Sequence, residues 1–126
     1  MLSKLILSLL AVSTLNSPAQ IKDYITARAM DYGVRPDIAV AIVRAESGFN
    51  PEAHNASSSA SGLAQYVDGT AQYYCIDKYK LATSLTFKND PYLQIECMVR
   101  MLSEDGGIRH WDASKSIWSK DLDLPY

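Results

Sequence analysis

The stretch Pro36-Asp-Ile-Ala-Val-Ala-Ile-Val-Arg-Ala-Glu46 decides the fold class. Pro36 suits the first turn of a helix, where its missing N–H is not needed. From Ile38 to Val43 the stretch is apolar on every side, and a helix without a polar face belongs in the middle of a domain. Ser47-Gly48 and Asn50-Pro51 end it. Glu46 falls four residues after Ile42 and eight after Ile38, which places a carboxylate on or beside the buried stripe.

Working outward, the flanking segments also read as helices. Ile21, Ile25, Arg28/Ala29 and Tyr32 fall on one helical face, and Gly33 follows as a stop. Downstream, His54 to Ser61 forms a polar, serine-rich loop. Thr70 is expected to cap a helix running to about Lys80. Asn89-Asp90-Pro91 starts another, which continues to Ser103 before Gly106-Gly107. Asp112 is expected to cap a last short helix containing Ile117 and Trp118. Sustained β alternation is missing, although a small hairpin fits within residues 54–66. The expected fold class is mostly α, in one domain, since 126 residues hold a single modest core.

Composition narrows the function. The chain is 48% hydrophobic and 21% charged, with a formal net charge of −2. That balance argues against a nucleic-acid binder held by phosphate contacts and against a polybasic membrane anchor. The N-terminus reads as an export signal: Lys4, an apolar run from Leu5 to Leu15, then the small residues of Ser17-Pro18-Ala19. Cleavage is expected after Ala19, leaving residues 20–126 as the working domain, exported to the periplasm or secreted without a stable membrane anchor. The alternatives are a buried first helix or a short anchor, but the apolar run falls short of the roughly 20 residues a span needs. Cys75 and Cys97 are the only cysteines, and in an exported chain they suggest one disulfide; two separate buried thiols are the alternative.

Glu46 is a candidate acid on physical grounds. Burial beside the core removes water from the carboxylate, and the last turn of a helix disfavours an anion. Both effects favour the protonated form that a general acid needs. The structural alternative is an ion pair with Arg44 or another base at the helix end.

The neighbouring residues carry a resemblance. Ala45-Glu46-Ser47-Gly48-Phe49-Asn50-Pro51 resembles the Glu-Ser-x-x-Asn-Pro motif of lytic transglycosylases and goose-type lysozymes. Ser61-Gly62-Leu63-Ala64-Gln65-Tyr66 resembles their second motif, commonly Gly-Leu-Met-Gln, and it follows Glu46 at a separation typical of that family. The approach from Tyr32 to Val40 matches as well, and the likeness extends from about Ile21 to Trp118. It implies a small lysozyme-like transglycosylase domain with Glu46 as catalytic residue. Ser47 offers a hydroxyl to Glu46 or to a substrate oxygen, or caps the helix end. Gly62 lets backbone approach a sugar, or is an ordinary turn glycine. Gln65 is the leading binding residue, while Tyr66 lies along a sugar face or packs in the core, as do Tyr73 and Tyr74. Three features depart from the pattern: Ala64 stands where Met is usual, the Ala-Tyr-Asn third motif is missing, and the chain runs only a little past Trp118. In place of the third motif stands Gly106-Gly-Ile-Arg-His110-Trp111-Asp112-Ala-Ser114, whose His110 and Trp111 are candidates for sugar contact; Trp111 fits a core role equally well.

Ordinary glycosidases use two carboxylates, whereas Asp68, Asp77, Asp90 and Asp112 all fit caps or surfaces. The resemblance therefore implies one acid/base acting on peptidoglycan glycan strands, with 1,6-anhydro-muramic ends as product and without metal or cofactor. The alternatives are a hydrolytic muramidase and a catalytically silent wall-binding subunit. The protein is expected to act as a monomer, with a secretion or conjugation apparatus as a candidate partner.

Overall fold

Helix α1, Pro18–Asp31, begins where Ser17 accepts from the Gln20 backbone N–H while the Gln20 side chain reaches back to Ser17, a reciprocal capping box. The computed structural model describes residues 17–122. The expected signal segment therefore lies largely outside the described residues, and the expected cut after Ala19 falls within the first turn of α1. Pro18 to Gln20 are exposed and Ile21 is the first core residue among the described ones, so of the described residues a cut there removes the cap but no buried side chain. A lost Ser cap costs about 1 kcal/mol.

Ile21, Ile25 and Ala29 of α1 are fully buried, as the helical spacing predicts. Gly33 follows with φ +69°, a left-handed conformation natural to glycine. Helix α2, Pro36–Ser47, buries Ile38, Ala39, Ala41, Ile42 and Val43, and Gly48 closes it in the left-handed conformation. It packs against α1 on one side and the C-terminal segment on the other, which makes it the central element. Helix α3, Pro91–Ser103, is capped by Asp90, whose side chain accepts from the Tyr92 and Leu93 N–H groups. It packs on α1 and adds Ile95, Met98, Val99 and Met101 to the core. Among the described residues the architecture is a small helical domain with isolated β-bridges, His54 with Ser61 and Ser61 with Tyr66, in place of a hairpin.

Two boundaries differ from the sequence reading. The expected α-helix from Thr70 is a single turn, Asp68–Thr70, running into a π-helix over Ala71–Lys78, and Thr70 lies inside the coil with no side-chain capping bond. Its wider turns bond Tyr79 N–H to the Tyr74 carbonyl at 2.8 Å. Residues five apart then meet: the Tyr74 and Tyr79 rings lie 6.1 Å apart at a tilt of 44°, with the Lys78 ammonium over both. Asp112 does not cap the last helix. It lies exposed inside a 3-10 helix, Gly107–Ser114, and Ser114 precedes helix α4, Lys115–Trp118. The 3-10 segment carries the chain to residue 114 before the α-helix begins, which leaves Asp112 too early to cap it. No helix among the described residues is long and apolar enough to cross a membrane.

Cys75 of the π-helix and Cys97 of α3 form a disulfide across 22 residues of sequence. Closing a loop of that size restricts the unfolded chain by about 3 kcal/mol. Replacing both cysteines by alanine should lower unfolding stability by about that amount in a urea titration. An unchanged midpoint would show that the bridge adds nothing to the fold.

Candidate active site

Helix α2 delivers Glu46 to a cleft of about 310 Å³, where its carboxyl is half-buried. Burial lifts this carboxyl above its ordinary range, and a hydrogen bond from Ser114 pulls it part of the way back. The Ser114 Oγ donates to Glu46 Oε2 at 2.9 Å. Arg44, the expected alternative partner, turns away: its guanidinium pairs with Asp121 at 3.2 Å and lies over the Phe49 ring. Among the described residues no cation pairs with Glu46.

The second motif forms the facing wall. Gln65 sits at φ +57°, a strained conformation for a non-glycine residue, and its own amide holds it there. The Nε2 group donates to the carbonyls of Gly62 at 2.9 Å and Ala53 at 3.2 Å. Both amide protons are thereby engaged, which leaves Oε1 as an acceptor beside the cleft. Ala64 and Tyr66 also line it. The Tyr66 hydroxyl is buried, donates to the Gln94 carbonyl at 2.6 Å and is held protonated by desolvation, so this ring packs in the core with one edge at the cleft.

Gly62 has a different task from the one expected. It is buried, with φ +85°, and a Cβ there would meet Gln94 Oε1 at 2.7 Å. The close approach it permits is to an internal side chain. Gln94 is fully buried; it accepts from Leu63 N–H at 2.7 Å and donates to the Lys88 carbonyl at 2.6 Å. Lys88 in turn exposes only 8% of its surface and ties the Ser59 carbonyl to the Asp68 carboxylate at 2.8 and 2.9 Å. These two residues pin the loop that carries Gln65. Ser47 does not reach Glu46; its hydroxyl bonds back to the Val43 carbonyl at 3.1 Å.

The 3-10 helix supplies the last wall. Trp111 exposes 4% of its surface, and its indole N–H donates to the Ala64 carbonyl at 3.0 Å. Its placement is that of a packed wall residue. The Trp111 carbonyl accepts from Trp118 Nε1 at 3.0 Å and lies 3.2 Å from Ser114 Oγ as the second acceptor within its reach. His110 lines the cleft edge-on to Tyr74, at 4.9 Å between ring centres, and makes no hydrogen bond to Glu46. Tyr74 is half-buried and Tyr73 is 58% exposed. Gln94, Lys88 and Ser114 escape a reading of the sequence. The available signal for Ser114 was its place at the end of the segment that replaces the third motif.

A family model described as Transglycosylase SLT domain matches residues 23–107. The chain belongs to that family, and its small, mostly helical fold is the lysozyme-like one. The match includes Glu46 and Gln65 and stops before His110, Trp111 and Ser114. No curated protein and no solved structure matches the chain.

Gly62→Ala should cost about 1–3 kcal/mol from its backbone conformation alone, and more because the Gln94 amide is held on both sides. Urea unfolding measures this directly. A stability equal to wild type would mean that Gln94 moves freely and does not pin the second motif.

Proposed function

We propose that this protein is a peptidoglycan lytic transglycosylase with Glu46 as its sole acid and base. The observation that carries the reading is that Glu46 is the one carboxylate among the described residues lining the cleft. Two-carboxylate glycosidases place their second group about 5–10 Å from the acid. Here Asp68 is bound by Lys88, and Asp112 is exposed and outside the cleft.

The chemistry follows from that single group. Protonated Glu46 gives its proton to the oxygen of the β-1,4 bond between N-acetylmuramic acid and N-acetylglucosamine. The bond from that oxygen to the muramic C1 breaks, with its electron pair going to oxygen. The substrate's N-acetyl oxygen stabilises the positive C1. Glu46, now a carboxylate, takes the proton of the muramic C6 hydroxyl as that oxygen bonds to C1. The 1,6-anhydro ring closes, Glu46 regains its proton, and no water is consumed. Gln65 and His110 line the cleft, which supports assigning Gln65 Oε1 and the His110 ring to sugar contact. Such an enzyme works outside the cytoplasm, exported through residues 1–19. It acts as a monomer, opening the wall locally for a secretion or conjugation apparatus.

Glu46→Gln keeps the shape and removes the proton transfer. General acid–base catalysis contributes about 10²- to 10⁴-fold, so the variant should leave no clearing in a peptidoglycan zymogram where the wild type clears. Clearing by both would refute the assignment of Glu46; clearing by neither would favour a silent wall-binding subunit. Because the acid must be protonated, wild-type activity should fall as pH rises through the elevated range of the Glu46 carboxyl. Initial rates on purified sacculi across pH check the sign.

A further inference from the structure

We propose that Ser114 is the positioning residue of the acid: its hydroxyl holds Oε2 of Glu46 as an acceptor, so that the transferable proton sits on Oε1. The inference rests on the reading of Glu46 as the acid/base.

Ser114 exposes 8% of its surface and its hydroxyl carries one proton. Two acceptors lie within reach, Glu46 Oε2 at 2.9 Å and the Trp111 carbonyl at 3.2 Å. The Trp111 carbonyl already receives the Trp118 indole N–H at 3.0 Å. An indole N–H can only donate, so this contact is never reversed. The Ser114 proton is therefore directed to the carboxyl, the nearer acceptor and, when ionised, the stronger one.

The consequence depends on the state of Glu46. When the carboxyl is ionised, the bond from Ser114 is charge-assisted and stabilises the anion left after proton transfer. When the carboxyl is neutral, the same bond makes Oε2 its carbonyl oxygen and leaves the proton on Oε1, which has no partner among the described residues. The opposite arrangement, with the proton on Oε2, would spend that proton on Ser114 Oγ and leave the Ser114 hydroxyl the longer bond to the Trp111 carbonyl, which already holds the Trp118 N–H. One hydroxyl thus keeps the proton available to the substrate and then steadies the carboxylate before it acts as base.

The other ionisable groups around α2 are engaged or distant from this carboxyl. His110 and Tyr66 share the cleft but do not bond to Glu46. On α2, Asp37 pairs with Arg35, and Arg44 pairs with Asp121 of the C-terminal segment. On α1, Arg28 is bound by Asp31 and Glu96, while Lys22 and Asp23 are exposed. Arg109, Asp112, Lys115 and Lys120 of the C-terminal segment are also exposed. Burial raises the Glu46 carboxyl and the Ser114 hydroxyl lowers it.

The test compares wild type, Ser114→Ala and Ser114→Thr by two readouts. One is the initial rate on purified glycan strands across pH. The other is a ¹³C NMR titration of the Glu46 carboxyl without substrate, with Glu46→Gln as the assignment blank. Removing a bond to the charged form leaves burial unopposed. Ser114→Ala should therefore move both the NMR midpoint and the high-pH limb upward. It should also lower the rate roughly 10- to 100-fold through lost orientation. Ser114→Thr, which keeps the hydroxyl, should return both towards wild type. An NMR midpoint in Ser114→Ala equal to wild type would overturn the proposal whatever happens to the rate. That midpoint needs no turnover, so it is separate from the failure of the acid reading, which would appear as activity in Glu46→Gln.

Discussion

Loss of water from one carboxyl group, at the inner end of a buried helix, is the constraint around which the rest of the molecule is arranged. Helix α2 is apolar and largely buried from Ile38 to Val43, and its last turn carries Glu46 into the wall of a cleft. A carboxylate with less than full hydration needs compensation. The described structure provides it sparingly, through one serine hydroxyl and no cation. That is the condition in which a carboxyl holds its proton and can still release it.

The cleft depends on two sets of internal bonds that meet at this group. Gln94 and Lys88 hold the second motif from beneath, which is why Gly62 is glycine, while the Gln65 amide secures its own left-handed backbone. On the other side, Trp111 joins the second motif to the C-terminal segment. Its indole bonds to Ala64, and its carbonyl gathers Trp118 and Ser114. The family match ends at residue 107, so this second set lies beyond the matched residues. The segment that lacks the usual third motif nevertheless completes the surroundings of Glu46.

Features set by local chemistry were legible in the sequence. The burial of α1 and α2 followed from spacing, Gly33 marked its stop, and Asp90-Pro91 announced α3 through its cap. The position of Glu46 beside the buried stripe was readable in the same way. What could not be read is set by contacts distant in the chain. Ser114 and Glu46 are 68 residues apart, and nothing near Ser114 marks it as anything but a polar residue before a helix. Gln94 looks like a surface glutamine until its partners, Leu63 and Pro51, are known. The π-helix is not distinguishable from an α-helix in the sequence, because widening a turn leaves little trace in residue types; tilted tyrosine contacts and a disulfide hold it.

In the proposed mechanism one carboxyl performs both proton transfers and the substrate's own C6 hydroxyl closes the reaction. Digestion of purified sacculi in ¹⁸O-labelled water, followed by mass spectrometry of the released muropeptides, tests this most directly. Ring closure takes no oxygen from solvent, so the account predicts anhydro-muramic ends without label. Reducing ends carrying ¹⁸O would contradict it.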